Sequence, residues 1–177
     1  MITPSEYNAI LDLMHRQVVP AIGCTEPIAV ALCVAKATEL LAAEPDTIDV
    51  RLSANIFKNA MGAGIPGTGM IGLPIAIALG ALAGKPALSL EVLRDCTKDD
   101  VERGKKYIDE GRIKITLEHD DADKLYINAL CKAGGKEAEA RIKSSHTNFV
   151  FMRKDAEELL NVASCAAKAS QAADDIR

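Results

Sequence analysis

Tryptophan is absent and aromatic residues make up only 3% of the chain. Stacking platforms for bases are therefore missing, and a core has to be built from Ala, Ile, Leu and Val. There is no basic excess: 21 Lys and Arg against 25 Asp and Glu leave a net charge of −4. That excludes the electrostatic footprint of a nucleic-acid or anionic-membrane binder. No CxxC pair occurs among the five cysteines, Cys24, Cys33, Cys96, Cys131 and Cys165. An odd number at wide spacing fits a reducing compartment better than a disulfide framework. Met1-Ile2-Thr3-Pro4-Ser5-Glu6 lacks the basic-then-apolar order of a secretion signal, so a cytoplasmic protein is expected. No charge stands between Lys58 and Lys85. The well-packed apolar part of that run is about 14 residues, short of the ~20 that a membrane span needs. It is expected to be a buried helix, kinked at Pro74.

What is present is enough for one domain with a core: 177 residues, 49% of them apolar and 26% charged. Thr3-Pro4-Ser5-Glu6 has the form of a capping box opening a helix over about residues 4–18. Ile10, Leu11, Met14 and Val18 share one side of it. A second helix, about 25–43, is apolar nearly all round and is expected to be buried, with Cys33 in the core. Thr47 to Ser53 alternates as a half-buried strand, and Ala54 to Met61 forms one or two helical turns. Ser89–Cys96 and Thr97–Asp109 are expected to be two helices. After Gly111 the period changes to two. Arg112–Glu118, Lys124–Cys131, Glu137–Ser144 and Asn148–Arg153 are expected strands, the first two joined by an acidic hairpin connection through His119 to Asp123. An Ala-rich helix is expected over about 155–173. The order predicts α+β architecture in a single domain, with helices packed on a mostly antiparallel sheet.

Three stretches can carry chemistry. In Gly23-Cys24-Thr25-Glu26-Pro27, Thr25 is a good N-cap and Cys24 falls one residue outside a helix N-terminus. Partial positive charge there favours the thiolate, the form that attacks electrophiles or binds metal. The plainer alternative is a small apolar residue filling a turn. Ser53, Asn55, Lys58 and Asn59 come next. Asn55 and Asn59, four apart, share a helical face near Lys58 and either line a pocket or form a cap and a solvated face. Gly62-x-Gly64-x-x-Gly67 matches GxGxxG literally, but the candidate strand ends well before Gly62 and no P-loop lysine follows. Its glycines let backbone N–H groups approach an anion, a carboxylate as readily as a phosphate. Later, Ser144 to Asn148 gathers small polar groups around His146, a proton carrier or a turn residue.

Taken together, Gly23-Cys24-Thr25-Glu26-Pro27, Ser53-x-Asn55-x-x-Lys58-Asn59 and Gly64-Ile65-Pro66-Gly67-Thr68-Gly69 resemble the N-terminal half of the L-cysteine desulfidase family. That family is related to the α chain of iron–sulfur L-serine dehydratases. His146-Thr147-Asn148 resembles a later family block. The resemblance implies a 4Fe-4S cluster held by three cysteines and β-elimination of L-cysteine to sulfide, ammonia and pyruvate through an aminoacrylate that hydrolyses. Cys24 matches the family's N-terminal cluster ligand. The other ligands lie in a C-terminal half that has no counterpart in this chain. A longer lyase is therefore implied, and a chain that alone holds no intact cluster. Ser53, Asn55, Asn59, Gly67, Thr68, Gly69, Thr147 and Asn148 would bind the amino acid, and Lys58 or His146 would take the Cα proton. An L-serine dehydratase-like deaminase and a non-catalytic domain binding a small carboxylate are the alternatives. Self-association through the uncharged stretch from Asn59 to Gly84, giving a homo-oligomer, is a third expectation.

Overall fold

A computed structural model describes residues 2–18, 20–118 and 123–162. Val19, His119 and Cys165 lie outside the described residues, as do the acidic link at 119–122 and the part of the expected Ala-rich helix beyond residue 162.

The fold is α+β. Six strands form one mixed, mostly antiparallel sheet in the order β4-β1-β5-β6-β7-β8. They are β1 (Thr47–Leu52), β4 (Ile113–Leu117), β5 (Tyr126–Ala133), β6 (Lys136–Lys143), β7 (Phe149–Lys154) and β8 (Glu157–Asn161). Alternation decides which side chains face inward. Ile48, Val50 and Leu52 on β1, Ile127, Ala129 and Cys131 on β5, and Ala138, Ala140 and Ile142 on β6 are all buried. Helix α2 (Thr25–Leu41) lies across β5 and β6, and helix α4 (Leu73–Ala83) packs beside it. Neither helix has a polar face in its middle, so each is buried on most sides. Gly80 allows the close approach. A Cβ on it would stand 2.6 Å from the Ala31 carbonyl oxygen. Helix α5 (Lys98–Asp109) covers α4 from outside, started by a Thr97–Asp100 capping box.

Several expectations need correction. The residues of β4 and β5 were expected to form a hairpin, but β1 lies between them, parallel to β4 and antiparallel to β5. Alternation identifies a strand without naming its neighbour. Pro74 does not kink a helix. It sits in the first turn of α4, where its missing N–H costs nothing. Before it, the glycine-rich stretch is a small hairpin of β2 (Gly64–Ile65) and β3 (Met70–Ile71). Pro86–Glu91 is a 3-10 segment broken at Ser89, whose φ is 53°, in place of the α-helix expected from Ser89. Where the last helix was expected to begin, Asp155 adopts a φ of 50° and the chain returns as β8 along β7. The uncharged run divides in two: Leu73 to Ala81, apart from half-buried Pro74, is buried, whereas Met61 and Ile71 before it are exposed. Helix α1 (Pro4–Gln17) carries the expected Thr3–Glu6 capping box.

Candidate functional site at one end of the sheet

Register brings the motifs to one end of the sheet. Leu52 at the end of β1 pairs with Ile127 at the start of β5, which pairs with Ile142 near the end of β6. Helix α3 (Ala54–Met61) therefore starts at the same end as the Ser144–Asn148 turn. Helix α2 touches α3 there, and the β2–β3 hairpin follows directly.

Cys24 is itself the N-cap of α2, with extended backbone (φ −66°, ψ 129°), and Thr25 is the first helical residue, a correction to the expected cap. The N-cap side chain makes no capping bond. With Pro27 as the third helical residue, the N–H that a capping side chain usually takes does not exist. The thiol is exposed and donates to Glu26 Oε2 at 3.0 Å. The same carboxylate accepts from Thr25 Oγ1 at 3.3 Å and, through Oε1, from Asn59 Nδ2 at 3.3 Å. Glu26 thus ties the cysteine motif to the asparagine motif. Partial burial, then the Glu26 hydrogen bond, pushes the Cys24 thiol above its ordinary pKa. That direction runs against the thiolate expected from the helix N-terminus. The donated Cys24 hydrogen bond in turn holds Glu26 below the usual carboxylate range.

The bend before Cys24 is fixed at two points. Ile22 N–H donates to the Leu90 carbonyl at 3.0 Å. Gly23, at φ +85°, lies against Pro66 of the hairpin; a Cβ there would stand 2.9 Å from Pro66 Cγ. A side chain at position 23 would drive the hairpin away from the thiol.

The hairpin turn is built by Thr68. Its hydroxyl donates to the Ile65 carbonyl at 2.7 Å and accepts from Met70 N–H at 2.9 Å. Gly67 and Gly69 supply positive φ of 78° and 66°. Gly67 and Thr68 also line a cavity of about 140 Å³ with Ile22, Leu93, Arg94 and Cys96.

Of the α3 residues, Asn55, Lys58 and Asn59 are exposed on a common face, as their spacing implied. Lys58 lacks the burial on which its role as a base depends. Ser53 is buried, and its hydroxyl donates to the Lys124 carbonyl at 2.9 Å, fastening the end of β1 to β5. His146 is half-buried, with Thr147 and Asn148 exposed. Asn148 closes the turn by donating from Nδ2 to the Lys143 carbonyl at 3.0 Å. The turn shares the sheet end with Cys24 but makes no hydrogen bond to it among the described residues.

Sequence reasoning missed Glu26 as the junction, and Arg94 and Cys96 beside the hairpin. Glu26 stood in the quoted motif, but only its place in the first turn was legible; its bond to Asn59 crosses 33 positions.

A four-iron cluster can be tested against these thiols. Cys33 and Cys131 are buried in the core, where Cys33 Sγ donates to the Ala140 carbonyl at 3.2 Å. Burial pushes the Cys33 thiol far up, the Cys131 thiol to about 12 and the half-buried Cys96 thiol to about 11. Among the described residues no group of three His, Cys, Asp or Glu stands together as a metal site. The arrangement fits a single ligand, Cys24, and no complete set.

The site is therefore an exposed thiol at a helix start, a carboxylate–asparagine clamp and a glycine hairpin on an α+β scaffold. The chain is similar to UPF0597 proteins. It is 64% identical to one from Bacteroides fragilis over 159 residues, which is 90% of this chain and 37% of that protein. The UPF0597 protein of Bacteroides thetaiotaomicron is 59% identical over 157 residues, 89% of this chain and 37% of its own length. That of Porphyromonas gingivalis is 44% identical over 169 residues, 96% of this chain and 39% of its own length. The chain thus spans well under half the length of these relatives. No family model and no solved structure matches it. Among the described residues no helix is long and apolar enough to cross a membrane.

Proposed function

We propose that this chain is the N-terminal portion of a cytoplasmic iron–sulfur lyase that converts L-cysteine to sulfide, ammonia and pyruvate. The observation that carries the reading is the convergence of three separate motifs on one exposed thiol, through Glu26–Asn59 and Gly23–Pro66. Cys24 would ligate one iron of a 4Fe-4S cluster, the remaining ligands coming from other polypeptide. When bound, the cluster would supply a Lewis-acidic iron for the departing sulfur. The chain's own residues would bind and orient the substrate. Asn55 and Asn59 offer amides on one exposed face. The Gly67 and Gly69 amides, which donate to no acceptor among the described residues, suit a carboxylate. His146, half-buried in its turn, is favoured over exposed Lys58 for the Cα proton.

The test is to place this chain in the full-length Bacteroides fragilis relative, replacing the matched region, and to reconstitute it anaerobically with iron and sulfide. The expected product is a brown protein that releases sulfide and pyruvate from L-cysteine, with Cys24→Ala at background. Full activity of Cys24→Ala would end the proposal, and turnover of L-serine alone would move the substrate to the serine dehydratase class. The cavity of about 140 Å³ beside the hairpin favours a second reading, a domain that binds a small carboxylate without chemistry. Calorimetry of the 177-residue chain with L-cysteine and pyruvate tests it. Binding unchanged in Cys24→Ala supports that reading.

A further inference from the structure

Helix α1 has an apolar stripe that is left exposed among the described residues. Tyr7, Ile10, Leu11, Met14 and Val18 fall within roughly 100° of one another around the helix, the width of a core-facing stripe. Ser5, Asn8, Asp12 and His15 occupy the other side. Yet Tyr7 is 57% exposed, Ile10 45%, Met14 51% and Val18 69%. From Thr3 to His15 every side chain is exposed except half-buried Leu11. An isolated helix of 14 residues is marginal in water even with good caps, because most helical stability comes from packing of the apolar face. Among the described residues this capped, correctly patterned helix packs its stripe against no other element.

We infer that this stripe is a docking surface for the polypeptide that the longer relatives carry outside the region they share with this chain. More than half of each relative lies outside the match. The Porphyromonas gingivalis match takes in 96% of this chain, so it reaches into α1 and includes Ile10, Leu11, Met14 and Val18 of the stripe. A second copy of α1 is a poorer occupant. Helix-to-helix pairing here spans about two heptads, fewer than the three or four that identify a coiled coil. Helix α1 also ends seven positions before Cys24, so a segment seated on it lies close along the chain to the candidate site. The inference rests on exposure and length alone and stands whether or not Cys24 binds iron.

Hydrogen–deuterium exchange by mass spectrometry tests it on two proteins as they exist: the 177-residue chain and the full-length Porphyromonas gingivalis relative. In the chain, α1 amides are expected to exchange close to unstructured rates, and Ile10→Asp to leave the melting temperature unchanged. In the relative, the aligned helix is expected to exchange about a hundredfold slower. Aspartate at the position aligned with Ile10, or serine should the aspartate variant fail to fold, is expected to restore fast exchange there. Fast exchange in the unaltered relative overturns the inference, and so does slow exchange that survives the substitution. Protection in either protein that fades on dilution, as sedimentation shows a dimer parting, assigns the stripe to a second copy and also overturns it.

Discussion

Gly80→Ala is the sharpest test of how α2 is held. The added methyl would stand 2.6 Å from the Ala31 carbonyl oxygen, 3.0 Å from Ala31 Cα and 3.2 Å from its carbonyl carbon. All three are backbone atoms of a helix, so no side chain can rotate away. Ordinary contact begins near 3.4 Å, so the helices must part by about 0.8 Å. Overpacking of this kind costs about 1–3 kcal/mol, and rigid backbone on both sides places it at the upper end. Against it, replacing a helical glycine by alanine gains about 1 kcal/mol of propensity. The clash wins, leaving a net loss of about 2 kcal/mol. For a chain of this size that lowers the melting temperature by about 4–8 °C. Circular dichroism melts, with urea titration as a second measure, read it directly. Gly62→Ala is the control. Nothing lies within 4 Å of a Cβ there and φ is −96°, so it should match the wild type or exceed it slightly. A Gly80→Ala midpoint at or above the wild type would refute the backbone-to-backbone packing of α2 on α4.

Three further outcomes are expected. In the metal-free chain at pH 8, Cys24 should alkylate more slowly than a free cysteine peptide, because its raised pKa leaves less thiolate; Glu26→Gln should speed it several-fold, and equal rates would remove Glu26 as the cause. Tyr107→Phe should cost about 1 kcal/mol in denaturation, since the buried hydroxyl donates to the Pro45 carbonyl at 2.6 Å. Burial pushes the Tyr107 phenol up to about 12. Its contribution to stability is therefore full below the ordinary tyrosine pKa and is lost as pH rises toward 12. Thr97→Ala removes the hydroxyl that accepts from Asp100 N–H at 3.2 Å and should cost about 1 kcal/mol. Thr97 also holds Asp100 below the usual carboxylate range, so the difference between variant and wild type should shrink as pH falls and Asp100 is protonated.

Local chemistry was legible wherever it acts within a few residues. The capping boxes at Thr3 and Thr97, the buried character of α2, the strands after Gly111 and the common face of Asn55, Lys58 and Asn59 follow from propensity and period. The sequence also fixed attention on Cys24, whose exposure at a helix start agrees with its motif. What the chain order could not contain is which elements meet. Alternation makes Ile113, Ile115 and Leu117 a strand, but the parallel pairing with β1 joins residues far apart in the chain, and no local pattern names that neighbour. The thiolate at Cys24 was read from the helix terminus alone. Partial burial, and after it a hydrogen bond to Glu26, itself held by Asn59 from another helix, push the other way. A dipole is a property of one element, whereas a hydrogen-bonded cluster is a property of the packing. For that reason the sequence alone named the thiol, and only tertiary structure set its charge and its neighbours.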